Sequence, residues 1–204
     1  MPEATPITSE LDADGLTQGD VAKLGQEQEF DLAIKRADRA GEILEQSQNA
    51  IDRGSWHWIG SGISPNPAPN GVAWDYLKGA NGENSYYIML NRAHFPSGAK
   101  GERSDLDPVR RYFESKAWTV TETEISGSFY LRAMTKDGYQ VEYLVQKNGQ
   151  YSLEVASKLF WSNDSYALGR SVALRQPRDF PETSLPSVRE KLPSWDDPVI
   201  PLSS

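Results

Sequence analysis

Few side chains in this sequence could do chemistry, and the two histidines come first among them. His57 and His94 are the only histidines in a chain of 204 residues that has no cysteine. Without cysteine there is no disulfide, thiolate zinc site, thiol nucleophile or iron–sulfur cluster, since each needs the sulfur atom. Neither histidine stands in a metal-binding spacing such as HExxH. We expect a structural role for both, with His57 facing away from Trp56 and Trp58 if the three share a strand.

Loop motifs for catalysis or ion binding are missing from the sequence. Asp12 to Gly15 begins like a calcium loop, but Leu16 stands at the next ligand position and no glutamate closes the loop. The GxSxG, Walker and SxxK motifs are also missing. Glu122 and Glu124 share one face of a predicted strand, where they are expected to solvate an edge. The sequence thus predicts no catalytic residue, no metal ion and no cofactor.

Aromatic side chains beside a proline-rich segment are better candidates for binding. Residues 60–71 are predicted to form a loop, because proline at every second position cannot pair in a sheet. The fixed φ angles of these prolines reduce the ordering entropy lost on binding. The loop from Gly60 to Lys78 is therefore the predicted interaction surface, and its candidate binding residues are Trp74, Tyr76, Pro67 and Pro69. The alternative is that Trp74 fills the end of the core and the prolines form a stiff connector.

A β-meander is the strongest structural signal in the chain. From Trp118 to Trp161, apolar and polar residues alternate almost without a break, which predicts strands with one buried and one solvated face. Asp137-Gly138 and Asn148-Gly149 stand between the strands and tolerate the positive φ angles of tight hairpin turns. Substantial burial is predicted for six residues: Trp118, Leu131, Val141, Tyr143, Leu153 and Val155.

Two helices complete a predicted α+β fold. Residues 20–53 carry an apolar stripe at helical spacing, with Asp20 as the N-cap and Gly54 just past the end. Residues 107–117 predict a short helix that opens with Asp107-Pro108. Both are expected to pack on a mostly antiparallel sheet, because a lone meander needs a cover for its apolar face. The strands of that sheet are predicted at residues 55–60, 85–95 and 118–161.

The charge of the chain is concentrated at its N-terminus. The formal net charge is −8, and residues 1–29 contribute −6 of it, from seven carboxylates and one lysine. An acidic chain without a basic stripe is a poor partner for nucleic acid or for an anionic membrane surface. No apolar stretch approaches the ~20 residues that span a bilayer, so no transmembrane segment is predicted.

The two ends of the chain are predicted to lie outside a single domain of residues 20–175. Residues 1–19 are polar and rich in Pro, Gly, Thr and Asp, which predicts a disordered acidic tether. Residues 176–204 hold six of the thirteen prolines together with apolar side chains, so an extended tail partly wrapped on the domain is expected. No signal peptide follows Met1. Either Met1 is the native start of a cytoplasmic protein, or it replaces a removed leader and a lipid-anchored cysteine before residue 2.

Three segments together resemble a known family. These are Tyr112–Val120 (YFESKAWTV), the Asp137-Gly138-Tyr139 turn, and the closing Tyr151–Trp161 (YSLEVASKLFW). They are similar to secreted or lipid-anchored actinobacterial proteins of uncharacterised function, of the LppA-like general type. In these, a long N-terminal helix leads to a tryptophan, and a Ser-x-x-x-Trp motif closes the last strand. The resemblance implies an envelope location, on the outer face of the membrane or secreted, and no known activity.

Three functions are therefore considered from sequence. The first is a non-enzymatic envelope protein that binds a protein or a glycan. The second is a hydrolase of envelope material that uses acidic residues or a histidine. The third is a purely structural or inhibitory module. A cleft in which His94 meets a carboxylate favours the hydrolase, whereas an exposed aromatic patch favours binding.

Overall fold

The computed structural model describes residues 10–60, 63–69, 77–176, 181–189 and 191–201. The fold is α+β, as the sequence predicts, with a long helix on a mostly antiparallel sheet. The helices are α1 (Gln18–Val21), α2 (Gln26–Ile51), α3 (Asp107–Ser115, entered through a 3₁₀ turn at Arg103–Leu106) and α4 (Ser165–Ala173). The strands are β1 (Trp56–Ile59), β2 (Asn66–Pro67), β3 (Ser85–Tyr87), β4 (Met89–His94), β5 (Thr119–Ile125), β6 (Ser128–Met134), β7 (Tyr139–Val145), β8 (Tyr151–Ser157), β9 (Phe160–Trp161) and β10 (Thr183–Ser184).

The main sheet has seven antiparallel strands in the order β10-β1-β4-β8-β7-β6-β5. The predicted meander supplies β5 to β8, and the turn glycines Gly138 and Gly149 have φ angles of 83° and 80°. In the register, Val141 lies opposite Val155 on one side and Ala133 on the other, so the apolar residues share one face. That face is covered by α2 and α3.

A second, three-stranded sheet corrects the prediction for the proline-rich segment. Its order is β2-β3-β9, and Pro67 of β2 lies opposite Tyr86 of β3. The expectation that residues 60–71 cannot pair in a sheet is therefore wrong at Asn66 and Pro67. The strand is only two residues long and stands at the edge, where the missing N–H of proline does not break a ladder. Ala68 continues the pairing through its N–H, which donates to the carbonyl of Ser85 at 2.9 Å.

The predicted single helix over residues 20–53 is two helices. Thr17, not Asp20, is the N-cap of α1, and the Asp20 carboxylate instead accepts a hydrogen bond from the Thr17 N–H as the third residue of a capping box. The chain then breaks, and α2 begins after Gly25, whose N–H donates to the side chain of Gln28 at 2.9 Å. Local hydrogen bonds at these two caps thus compete successfully with continuation of the helix.

Small side chains bring α2 close to the sheet. Its buried apolar residues are Phe30, Ala33, Ala37, Ala40, Ile43 and Leu44. Three members of the predicted stripe, Ile34, Gly41 and Ile51, are half-buried at its margin. The stripe therefore packs on the domain's own sheet, as the sequence predicts.

The end of α3 explains the one wrong prediction among the six expected core residues. Leu131, Val141, Tyr143, Leu153 and Val155 are buried, but Trp118 is only half-buried. Ala117 has φ 54°, and the N–H groups of Ala117 and Trp118 donate to the carbonyls of Glu114 and Phe113, which forms a Schellman motif. This turn directs the indole onto the ring of Phe113, at 5.5 Å between centroids, rather than into the sheet.

The described C-terminal residues lie on the domain. β10 pairs with β1, with Ser184 opposite Trp56, and so forms one edge of the main sheet. Trp195 packs edge-to-face on Phe30 of α2 at 5.5 Å, and the guanidinium of Arg175 lies 4.6 Å from the centroid of the Trp195 ring. Among the described residues, no helix is both long enough and apolar enough to cross a bilayer.

The predicted disordered tether is wrong for residues 10–19, while residues 1–9 lie outside the described residues. Asp12 is 7% exposed and accepts a hydrogen bond from Arg36 of α2 at 3.2 Å. Arg36 is 2% exposed, donates to Asp14 at 2.7 Å and to the Tyr86 hydroxyl at 2.7 Å, and stacks over the ring of Phe160 at 3.8 Å. The acidic segment is therefore held by a buried charge network.

We expect Arg36→Met to lower the free energy of unfolding by about 3–5 kcal/mol, because it leaves the buried carboxylate of Asp12 without its cation. Arg39→Met is the matched control on the same helix. Arg39 is 42% exposed in its pairs with Glu42 and Asp137, so its loss should cost no more than about 1 kcal/mol. Urea unfolding measures both variants. Equal destabilisation by the two would contradict this role of Arg36, and Asp12→Asn should partly rescue Arg36→Met.

Candidate functional site

The structure describes two of the four candidate binding residues predicted from sequence. Pro67 is half-buried in β2 and Pro69 is exposed just after it. Trp74 and Tyr76 lie outside the described residues, so the predicted interaction surface stays a prediction. Of the neighbouring aromatic residues, Trp56 and Tyr86 are fully buried, in keeping with core packing rather than with an open binding face.

A pocket at one end of the main sheet is lined by four titratable side chains, those of His94, Asp105, Tyr143 and Tyr151. We call it the histidine pocket, and its volume is about 230 Å³. His94, at the end of β4, and Tyr143 and Tyr151, on β7 and β8, form its floor. Its apolar walls and polar rim comprise Ile51, Pro96, Ala99, Pro108 and Val109 together with Ser97, Ser104 and Asp105. Three adjacent strands and the loop before α3 therefore converge on one concavity.

His94 is the centre of a hydrogen-bonded chain beneath this pocket. Its Nδ1 lies 3.2 Å from the carboxylate of Asp52, and its Nε2 lies 2.8 Å from the hydroxyl of Tyr143. The arrangement assigns the ring proton to Nδ1, with Nε2 accepting from Tyr143. The imidazole is 1% exposed and stacks on Trp56, with centroids 3.8 Å apart. Burial lowers the pKa of His94 below its ordinary 6.5, although Asp52 opposes the shift, so the ring is neutral at pH 7.

Asp105 forms the polar rim of the pocket. Its Oδ2 accepts hydrogen bonds from the backbone N–H groups of Lys100 and Gly101, at 2.9 and 3.0 Å, and from the hydroxyl of Tyr151. Burial alone raises the pKa of this carboxyl, but the bonds from Tyr151 and the backbone outweigh it and hold the pKa below its ordinary value. The carboxylate is therefore fixed in position and ionised at neutral pH. Among the described residues, none donates a hydrogen bond to its other oxygen, Oδ1.

The geometry of the pocket is better suited to holding a ligand than to reacting with one. A general base must reach the proton that it removes, but Nε2 of His94 is occupied by Tyr143. Burial raises the pKa of both Tyr143 and Tyr151, so neither phenol is a ready nucleophile at pH 7. Ser97 and Ser104 are exposed on the rim and make no hydrogen bond with His94.

A second concavity lies beside α2. It is about 280 Å³ in volume and separates α2 from residues 186–189, which we call the strap. We call this space the strap cavity.

No group of three or more His, Asp or Glu within the described part of the chain could hold a metal ion.

No family model, curated protein or solved structure matched this chain. The site is therefore argued from its own geometry.

Sequence reasoning found one member of the histidine pocket and missed the carboxylates. The residue type of His94 makes it a candidate in the sequence. Asp52 is 42 positions away and contacts His94 only because α2 ends beside β4. The one local signal for Asp52 is its place at the end of the long helix, where it is the C-cap. Asp105 is the third residue of a capping box on the 3₁₀ turn, a pattern that predicts a turn rather than a ligand contact.

The lowered pKa of His94 predicts a pH-dependent stability. The unfolded chain takes up a proton near pH 6.5 while the folded protein does not, so stability should be constant above that pH and should fall as the pH drops below it. We expect this fall, measured by urea unfolding between about pH 7.5 and 5.5, to be smaller in His94→Gln. His57→Gln is the control, since the chain has no other histidine. An unchanged pH profile in His94→Gln would contradict a buried neutral imidazole.

Proposed function

We propose that the protein is a non-enzymatic binding protein whose histidine pocket holds a small polyhydroxylated ligand, such as the end of an envelope glycan. The observation that supports this is the carboxylate of Asp105, which is fixed through Oδ2 and leaves Oδ1 without a donor among the described residues. A preorganised carboxylate is a strong acceptor for ligand hydroxyls, because hydrogen bonds to charged groups are about twice as strong as neutral ones.

The rest of the pocket complements such a ligand. Ser97 and Ser104 stand on the rim and each carry a hydroxyl that both donates and accepts. Between them, Ile51, Pro96 and Val109 give an apolar wall against which the C–H face of a sugar ring can pack. Mostly apolar walls with a few fixed polar groups are the usual composition of small-molecule sites.

The envelope location belongs to this proposal as well. It is supported by the resemblance to LppA-like proteins, carried by Tyr112–Val120 and Tyr151–Trp161. The negative net charge of −8 disfavours nucleic acid as the partner. A glycan is preferred to a protein partner because the described convergent polar groups lie in a concavity rather than on a flat surface.

A glycan array followed by calorimetry with the best sugar tests the proposal. We expect Asp105→Asn to weaken binding by about tenfold or more, because a charged acceptor becomes neutral. Asparagine keeps one carbonyl oxygen for the backbone donors, so the loop should stay folded. Glu114→Gln on α3 removes the same charge from an exposed position outside the pocket and should leave affinity unchanged. Absence of any sugar ligand, or equal affinity in both variants, would contradict the proposal.

A hydrolase is the second candidate function, and the Asp52–His94–Tyr143 chain favours it. A carboxylate that orients a histidine is the arrangement of a general base, and Ser97 and Ser104 carry hydroxyl groups on the rim. Catalysis would require Nε2 to exchange Tyr143 for a substrate or a water molecule. We expect no release of reducing ends or of acid when the protein is incubated with envelope glycans and their esters. Turnover that disappears in His94→Gln would establish the hydrolase instead.

A further inference from the structure

The strap cavity has apolar walls contributed by three parts of the chain. Leu44 of α2, Leu90 of β4 and Ile63 are each 4% exposed and line its inner side. Pro186 and Val188 of the strap close it from outside. A space of about 280 Å³ lies close to the lower end of the range found for small-molecule sites. The cavity is thus large enough for a small ligand and is independent of the histidine pocket.

Ion pairs hold the strap over this cavity. Arg189 donates to Asp38 at 2.9 Å and pairs with Glu45 at 3.2 Å, so its guanidinium joins two turns of α2. The side chain crosses α2 at Gly41, where an added Cβ would meet it at 3.7–3.8 Å. These pairs are about 40% exposed and are therefore weak enough to open for ligand exchange.

Gln48 gives the strap cavity a polar group to which a ligand could bond. Its side chain is 5% exposed and lines the cavity, and no hydrogen bond joins its amide to another described residue. The amide is therefore free to bond to a molecule held in the cavity. A ligand with a hydroxyl or a carbonyl group would supply the missing partner, since an amide both donates and accepts.

The charges around the cavity limit the kind of ligand. Two carboxylates, Asp38 and Glu45, and two guanidinium groups, Arg92 and Arg189, line it. Arg92 lies inside the protein and stacks over Trp58 at 3.9 Å. Asp38 and Glu45 are paired with Arg189, and Arg92 stacks on Trp58, so a charged ligand would have to displace one of these interactions or lie uncompensated. The lining therefore favours an uncharged ligand.

We propose that the strap cavity binds an uncharged amphiphile, an alkyl chain of medium length that carries one hydroxyl, amide or ester group. The chain lies against Leu44, Ile63 and Leu90, and its polar group bonds to Gln48. The strap closes over the ligand and is released when Arg189 parts from Asp38 and Glu45.

Calorimetry with a series of alkan-1-ols of about six to ten carbons tests the proposal in the full-length protein. We expect the Kd to fall about fourfold for each added methylene until the cavity is filled, because each CH₂ leaves water for an apolar space. Gln48→Met keeps the side-chain volume and removes the hydrogen bond, so it should weaken binding of the alcohols by about two- to tenfold. The alkanoate of equal length should bind more weakly than the alcohol.

Gly41 offers a matched pair of variants at the mouth. Gly41→Leu should abolish binding by filling the space under Arg189, whereas Gly41→Ala should bind as the wild type does. Circular dichroism checks that both are folded, and Gln48→Met carries the test alone if Gly41→Leu is not. Absence of binding, binding without dependence on chain length, or equal affinity in Gln48→Met and wild type would overturn the proposal. A dimer that Gly41→Leu dissociates would assign the cavity to a second copy of the chain and would overturn it too.

Discussion

The guanidinium of Arg36 is the constraint on which the arrangement of the layers depends. It is 2% exposed and joins α2 to Asp12 of the N-terminal segment, to Tyr86 of β3 and to Phe160 of β9. A buried cation is tolerated only when its neighbours satisfy it, so these three parts of the chain must all be in place around it. Asp12 extends the network, since it also accepts from the N–H groups of Asp14 and Leu16 at 2.9 Å. The same charge thus fixes the small sheet against the long helix.

The parts of the fold that the sequence predicts are those with a repeating pattern. Period-two alternation and turn residues such as Gly138 locate β7 and β8, because a one-residue slip would expose the whole apolar set. The break before Gly25 could not be predicted in this way, since only the cap hydrogen bonds at Thr17 and Gly25 decide where the helices begin. Composition predicts a solvated tether around Asp12, because it cannot show that this carboxylate meets a buried arginine 24 positions further along the chain.

The candidate site, too, could be predicted from the sequence only in part. Residue type was enough to single out His94, and the structure places it on the inner face of β4 with Leu90. Its partners come from other elements, and their approach depends on where α2 ends and how the loop before α3 is folded around Asp105. The strap cavity could not be predicted from the sequence either. Gln48 has the pattern of an ordinary helix residue, and the C-terminal segment covers it only in the folded protein. Contacts between residues that are distant in the chain leave no pattern in a single sequence.

The position of the C-terminal segment has a consequence for the synthesis of the protein. Trp58 of β1 donates to Ser184 of β10 across 126 positions, and the indole of Trp161 donates to the carbonyl of Glu10 across 151. β1 and the first described residues therefore find these partners only when residues 184 and 161 have emerged from the ribosome. Contacts of such long range form slowly and leave apolar surface exposed meanwhile. A nascent chain that stalls before residue 184 therefore lacks one edge of its sheet.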